Sequence, residues 1–395
     1  MIPKEYRELD ILIRAFVQGS RPEFAKEPDW NRLMQLSQIH SVSGITAYMI
    51  SQYRLASEES VNDAAKTLAR QTVVLFVRRS EQTKQLLKEL NDREINHGML
   101  KGYVIRNCYP IPELRSYGDM DLVIHPEDRQ TVHHMMTELG FDIKTSWEPV
   151  YAYVRENELY EFHTEIMEVD VSDKADYRGY FRSVWEHMIP EQEHTYIPTP
   201  EYHFLYLLCH IAKHIAGSGA GLRMYLDIAF YLKSFGDTMN WTWIREELKT
   251  LKLEEFTNTV FTAVERWFGV QSPLPLKPVS EEIMEDFFNF TMEGGTFGHA
   301  GRNSGVIALK KTDRNRETVS RSGTLIRRLF PSAETIEKRY TYLKGRHWLL
   351  PVAWLHRLII TRSTWGEHAR EARTILTADE EEVLRLKNLY SEIGL

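Results

Sequence analysis

LKGYVIRNCYPIPELRSYGDMDLVIHPEDRQTVHHMMTELGFD, residues 100–142, is the stretch from which the rest of this 395-residue chain can be read. Within it, Asp119 and Asp121 stand two apart at the start of the apolar run Leu122-Val-Ile124. Side chains alternate across a strand, so both aspartates face one side, while Met120 and Leu122 face the other and can anchor in a core. A helix follows from Pro126 to Leu139, opened by a proline that its first turn tolerates and stopped by Gly140. The short apolar runs MLKGYVI, DMDLVIH, FDIKTSW, PVYAYVR and YEFHTEIMEVDV, between about Gly98 and Val171, predict strands. No other part of the sequence reads clearly as sheet.

Working outward, Pro3 to about Asn96 keeps apolar residues three and four apart and predicts helices. After Asp173 the helical period returns. Thr199-Pro200 is a helix start, leading into PEYHFLYLLCHIAKHIA and on to Gly217. Further helices are expected through Leu232, at Trp241–Lys252 and at Glu254–Phe268, then a loop or linker over 294–318, and a charged helix at Ala378–Glu392. The fold class is α+β, predominantly helical, with a small mixed β-sheet core flanked by helical N- and C-terminal regions. Four parts follow: helical 1–95, an α/β core at 96–175, a helical domain closing a cleft at 176–300, and a linker with a basic, aromatic helical region at 301–395.

Apolar residues make up 43% of the chain and the formal charge is −7, which favours a packed protein over a disordered one and argues against a dedicated nucleic-acid binder. The N-terminus lacks a signal-peptide pattern, and no run of about 20 uncharged apolar residues predicts a transmembrane segment. A cytoplasmic location is expected. Two cysteines, Cys108 and Cys209, read as ordinary thiols of a reducing compartment.

A lone Asp-x-Asp is common on surfaces, but here a second acidic strand follows. In LYEFHTEI, Glu161, His163 and Glu165 share one face, opposite Tyr160, Phe162, Thr164 and Ile166. Glu161 is the expected third carboxylate, with Asp170 as the alternative. Two or three carboxylates on rigid backbone are what a pair of divalent ions about 3.5–4 Å apart requires for nucleotidyl transfer. Upstream, Lys101-Gly102 in the first apolar run, with Arg106 and Arg115, offers close backbone approach and positive charge to phosphates.

These residues resemble the core of a family of uncharacterised bacterial nucleotidyltransferases within the polymerase beta superfamily. The likeness rests on Lys101-Gly102, Tyr109-Pro110, Arg115 before Asp119 and Asp121, and Gly140-Phe141. It continues in Glu161-Phe-His163, in His210-Ile-Ala-Lys-His214 and in Gly221-Leu-Arg223-Met-Tyr-Leu-Asp227, covering about residues 30–360. Lys-Gly replaces the Gly-Ser of the wider superfamily. The resemblance implies a Mg²⁺ (or Mn²⁺) enzyme moving an NMP from an NTP donor to an acceptor hydroxyl or phosphate with release of pyrophosphate. Small molecules, sugars or proteins fit as acceptors better than long nucleic acids. Asp119, Asp121 and Glu161 are the expected catalytic and metal residues. Lys101, Gly102, Arg115, His163, His210, Lys213, His214, Arg223 and Asp227 are expected to bind nucleotide or phosphate. The alternatives are a non-catalytic nucleotide-binding module and a phosphotransferase using the same site.

Several features have plainer readings. His203, His210 and His214 form one helical stripe, which can line the cleft, bind zinc, or simply pack. Gly217-Ser-Gly-Ala-Gly221 can cradle a phosphate or end a helix. Arg223 and Asp227, four apart, can be no more than a surface or semi-buried ion pair. The basic, aromatic segment 324–362 can meet an anionic acceptor or stay solvated.

Overall fold

The computed structural model describes residues 3–295 apart from 117 and 218, and, beyond them, 323, 325–326, 329–337, 340–360, 372–373, 375–377 and 379–395. The N-terminal helices are α1 (Lys4–Gln18), α2 (Trp30–Ile39), α3 (Ser43–Tyr53) and α4 (Glu59–Asp92). Helix α1 buries Leu9, Leu12, Ile13 and Phe16, the stripe that its period predicts, and ends at Gly19 with φ +65°. Asp29 caps α2 by accepting the Arg32 N–H at 3.0 Å.

Among the described residues the sheet has seven strands in the order β3-β4-β5-β2-β1-β7-β6. Their ranges are β1 His97–Met99, β2 Met120–Ile124, β3 Asp142–Trp147, β4 Val150–Arg155, β5 Glu158–His163, β6 Met188–Gln192 and β7 Thr195–Pro198. The β1–β7 and β2–β5 pairs are parallel and the others antiparallel, so the sheet is mixed.

Three details correct the sequence reading. MLKGYVI is not one strand: the Leu100 N–H still bonds to the Asp121 carbonyl at 3.1 Å, but Lys101 takes φ +42° and turns the chain into the short helix α5 (Gly102–Ile105). Strand β5 stops at His163, so Glu165 is not a strand residue. The sheet also continues past 175, because β6 and β7 form a hairpin whose second strand pairs with β1. Pro190 and the polar run around it hide β6 from a hydrophobic pattern, since its burial is slight.

One face of the sheet packs Met99, Met120, Leu122, Ile124, Tyr160 and Phe162 against the end of α4 and against α6 (Arg129–Glu138). The other face turns Val123 toward the large helical core. Helices α7 (Tyr177–Tyr180), α8 (Pro200–Gly217), α9 (Leu222–Phe235), α10 (Trp241–Thr250), α11 (Glu254–Phe268) and α12 (Glu281–Gly294) complete that body. His40 ties it together: its Nδ1 accepts the Leu222 N–H at 3.2 Å and its Nε2 donates to the Met292 carbonyl at 3.1 Å. Burial pushes the His40 pKa down to about 4, keeping the ring neutral. The last helix, Glu380–Glu392, docks on α8 through Tyr390, whose hydroxyl donates to the Ile215 carbonyl at 2.6 Å. The loop expected at 294–318 lies, from 296 on, outside the described residues. No described helix is long and apolar enough to cross a membrane.

Helix α1 also carries a pH-dependent cost. Burial pushes the Asp10 carboxyl up to about 7, with Arg14 offsetting this in part, and among the described residues its Oδ1 is buried with no hydrogen-bond partner. With an unfolded pKa of about 3.9, the folded state binds the extra proton, so stability present below pH ~4 is lost as pH rises through about 7. Asp10→Asn is therefore expected to stabilise the protein by on the order of 2 kcal/mol at pH 8 and by almost nothing at pH 4. Urea midpoints of the two proteins at both pH values measure it, and an equal difference at both would contradict it.

Candidate active site

Parallel pairing sets Asp121 of β2 beside Glu161 of β5, and Val123 beside His163. Because Tyr160 and Phe162 are held in the core behind the sheet, Glu161 and His163 turn to the same face as Asp121. Asp121 is buried, and its Oδ1 accepts from Lys101 Nζ at 2.7 Å and from His163 Nε2 at 3.2 Å. His163 Nε2 also lies 3.8 Å from Glu161 Oε2. A carboxylate only accepts, so His163 carries its proton on Nε2. Its buried Nδ1 has no hydrogen-bond partner among the described residues. Asp119 is exposed just ahead of β2.

Electrostatics join these groups into one site. Burial, and then the charges of Asp119 and Asp121, push the Glu161 carboxyl above its usual range. Burial would do the same to Asp121, but the Lys101 ammonium and His163 outweigh it and hold Asp121 well below the carboxylate norm. Ligand atoms of Asp121, Glu161 and His163 all lie within 4.8 Å of one another, a spacing that one cation can bridge. Asp170, the alternative third acid, is exposed and instead accepts the Arg178 N–H at 3.1 Å.

The expected stripe on α8 faces these acids. His203 is buried and its Nε2 accepts the Lys101 N–H at 3.1 Å. One turn on, the Tyr206 ring centroid lies 5.9 Å from Lys101 Nζ. The His210 and His214 rings meet edge-on at 4.5 Å. Burial pushes His203 and His214 down to about 3 and His210 far down as well, so all three are neutral at ordinary pH. Burial also lowers Lys213, as does the charge of Lys101, while Glu168, Asp121 and Glu161 pull it back. The His210/His214 pair belongs to no group of three or more metal-ligating residues among the described ones. Gly219 donates to the His214 carbonyl at 2.8 Å, so the glycine run closes the end of α8. The sequence reading missed Tyr206, although it lies three residues after His203 and four before His210 on that stripe.

Arg115 and Asp227 meet each other, although the sequence reading paired Asp227 only with Arg223. Arg115 donates from Nε to Asp227 Oδ1 at 2.8 Å and from Nη2 to Oδ2 at 3.0 Å. Asp227 is buried, and also accepts from the Tyr109 hydroxyl at 2.7 Å and from Arg223 Nη1 at 3.4 Å. Arg115 Nη1 would lie 3.0 Å from a Cβ on Gly102, so the glycine makes room for a guanidinium. Phe76, Gly102, Arg106, Arg115, Gly118, Asp119 and Met120 line a small cleft beside the acids. Phe76 in that wall was not legible as a site residue, whereas Arg106, expected to offer charge to phosphates, lines it and stacks over the Tyr103 ring at 4.6 Å.

The model of a family described as uncharacterised nucleotidyltransferase matches residues 26–269, which span every side chain placed in this site. The solution structure of the antibiotic-resistance factor ANT(2'')-Ia aligns with 48% of this chain and 97% of its own, at 13% identity and a TM-score of 0.33. No curated protein matches.

Proposed function

We propose, from the premise that this chain belongs to the family of uncharacterised nucleotidyltransferases, that it transfers a nucleotide from a nucleoside triphosphate to an acceptor and releases pyrophosphate. The observation that carries this reading is the pairing of Asp121 with Glu161 on adjacent parallel strands, with Asp119 close enough to perturb Glu161. Such a crowd of carboxylates suits a hard divalent cation, Mg²⁺ or Mn²⁺, held by Asp119, Asp121 and Glu161. A metal bound there supplies Lewis-acid charge to the phosphoryl oxygens. Glu161 binds the ion on the nucleophile's side or acts as the base that takes the proton of the acceptor hydroxyl. The acceptor oxygen then bonds to the α-phosphorus as its bond to the bridging oxygen of pyrophosphate breaks. Lys101, Arg106 and Lys213 offset the charge of the triphosphate, and α8 with His210 and His214 walls the cleft.

In this account the helical parts 1–95 and 176–300 flank a core centred on 96–175, and the cytoplasm supplies donor and ion. Small molecules, sugars or proteins are the expected acceptors. A phosphotransferase would use the same ion, so the transferred atom discriminates. With candidate acceptors and NTP labelled at either the α- or the γ-phosphate, label is expected to reach the acceptor only from the α position, with pyrophosphate as the second product. Transfer from the γ position would assign the site to phosphotransfer.

A further inference from the structure

Lys101 sits where an ion-binding carboxylate would otherwise face a metal. Its ammonium is 2.7 Å from Asp121 Oδ1, with the Lys101 side chain largely buried and the Asp121 side chain almost wholly so. The protein holds it there at local cost. The Lys101 backbone has φ +42° and ψ −113°, a conformation that a residue with a side chain rarely adopts. Its N–H is fixed by His203 Nε2 at 3.1 Å, which leaves the proton on His203 Nδ1, a buried atom with no hydrogen-bond partner among the described residues. Two unfavourable features, the backbone of Lys101 and the unpartnered Nδ1 of the histidine that holds it, both serve to set the direction of one side chain and point to a role for it.

We infer that Lys101 is a tethered cation that stands in for one of the two divalent ions such a carboxylate set would otherwise take, so that a single divalent ion completes the site. This rests on the metal-binding reading given above. The charges are consistent with it: Asp119, Asp121 and Glu161 carry three negative charges, and one ammonium with one divalent ion balances them. A second divalent ion on Asp121 would lie against the ammonium, and the repulsion of like charges a few ångströms apart in a buried site is large. His163 strengthens the arrangement, because its Nε2–H occupies the same Oδ1 from the other strand. The Lys-Gly pair thus has two duties: the lysine supplies fixed charge, and the glycine after it leaves room for Arg115.

Titration of the full-length protein with Mn²⁺ alone, following the free ion by electron paramagnetic resonance, tests this. Wild type is expected to take up one Mn²⁺ per chain. Lys101→Met is expected to take up a second, or to hold the first about tenfold or more tightly, because the ammonium no longer opposes it. Lys101→Arg, which keeps the charge, is expected to stay at one. Two ions on wild type, or unchanged number and affinity in Lys101→Met, would overturn the inference while leaving the metal site intact. Absence of Mn²⁺ uptake by wild type and Lys101→Met alike would instead overturn the metal-binding reading, and this inference with it. The wild-type count does not depend on how well either variant folds.

Discussion

Asp227→Ala is expected to destabilise the protein by about 3–5 kcal/mol, the usual cost of removing one partner from a buried, hydrogen-bonded ion pair. Asp227 on α9 accepts from Arg115, Tyr109 and Arg223 and so ties the helical body to the segment that delivers Asp119. Without it the Arg115 guanidinium, whose side chain is 8% exposed, keeps its charge with no carboxylate to meet it. Most of the loss comes from that stranded charge rather than from the pair's own attraction. Arg115→Met/Asp227→Leu is accordingly expected to lose much less than the sum of Arg115→Met and Asp227→Leu. Urea unfolding of the four proteins checks this, and additive losses would show that the two residues stabilise the fold independently. Burial would raise the Asp227 pKa, but Arg115 and Arg223 hold it below the usual value. Its contribution is therefore present above pH ~4 and fades as pH falls through the depressed folded value.

Asp119→Ala is expected to do the reverse, leaving stability within about 0.5 kcal/mol of wild type while lowering nucleotidyl transfer on the order of a thousandfold. The side chain is exposed ahead of β2, so no packing is lost. Its charge nevertheless acts on both Glu161 and Lys101, which places it within the electrostatic reach of the site. Loss of one metal-binding carboxylate removes several kcal/mol of transition-state stabilisation. Label transfer from α-labelled NTP, read beside the urea midpoint, separates the two effects. A variant as active as wild type would remove Asp119 from the site.

What could be read from the sequence followed the reach of local periodicity. The alternation Met120-Asp121-Leu122 determines which side chains face the core, and the same holds for Tyr160-Glu161-Phe162, so the acids could be assigned to one face before any fold was known. Periodicity does not say where a strand turns. Lys101 at φ +42° ends β1 inside an apolar run that reads as continuous strand. Nor does it reveal edge strands such as β6, whose outer residues are polar. The largest gap concerns long-range partners. Arg115 and Asp227 were both singled out, but as phosphate contacts, because nothing in a linear chain says that two charges 112 residues apart close on each other. Gly102 was read as room for a phosphate, and the neighbour it makes room for is Arg115.

The most direct test of the central claim is a thermal-unfolding comparison of wild type and an Asp119→Ala/Asp121→Asn variant with ATP, CTP, GTP and UTP, each with and without Mg²⁺. For wild type, at least one nucleotide is expected to raise the midpoint only when Mg²⁺ is present, and that rise is expected to vanish in the variant whatever its own starting midpoint. No rise with any nucleotide, or an equal rise in the variant, would contradict the assignment of this carboxylate cluster as a nucleotidyltransferase site.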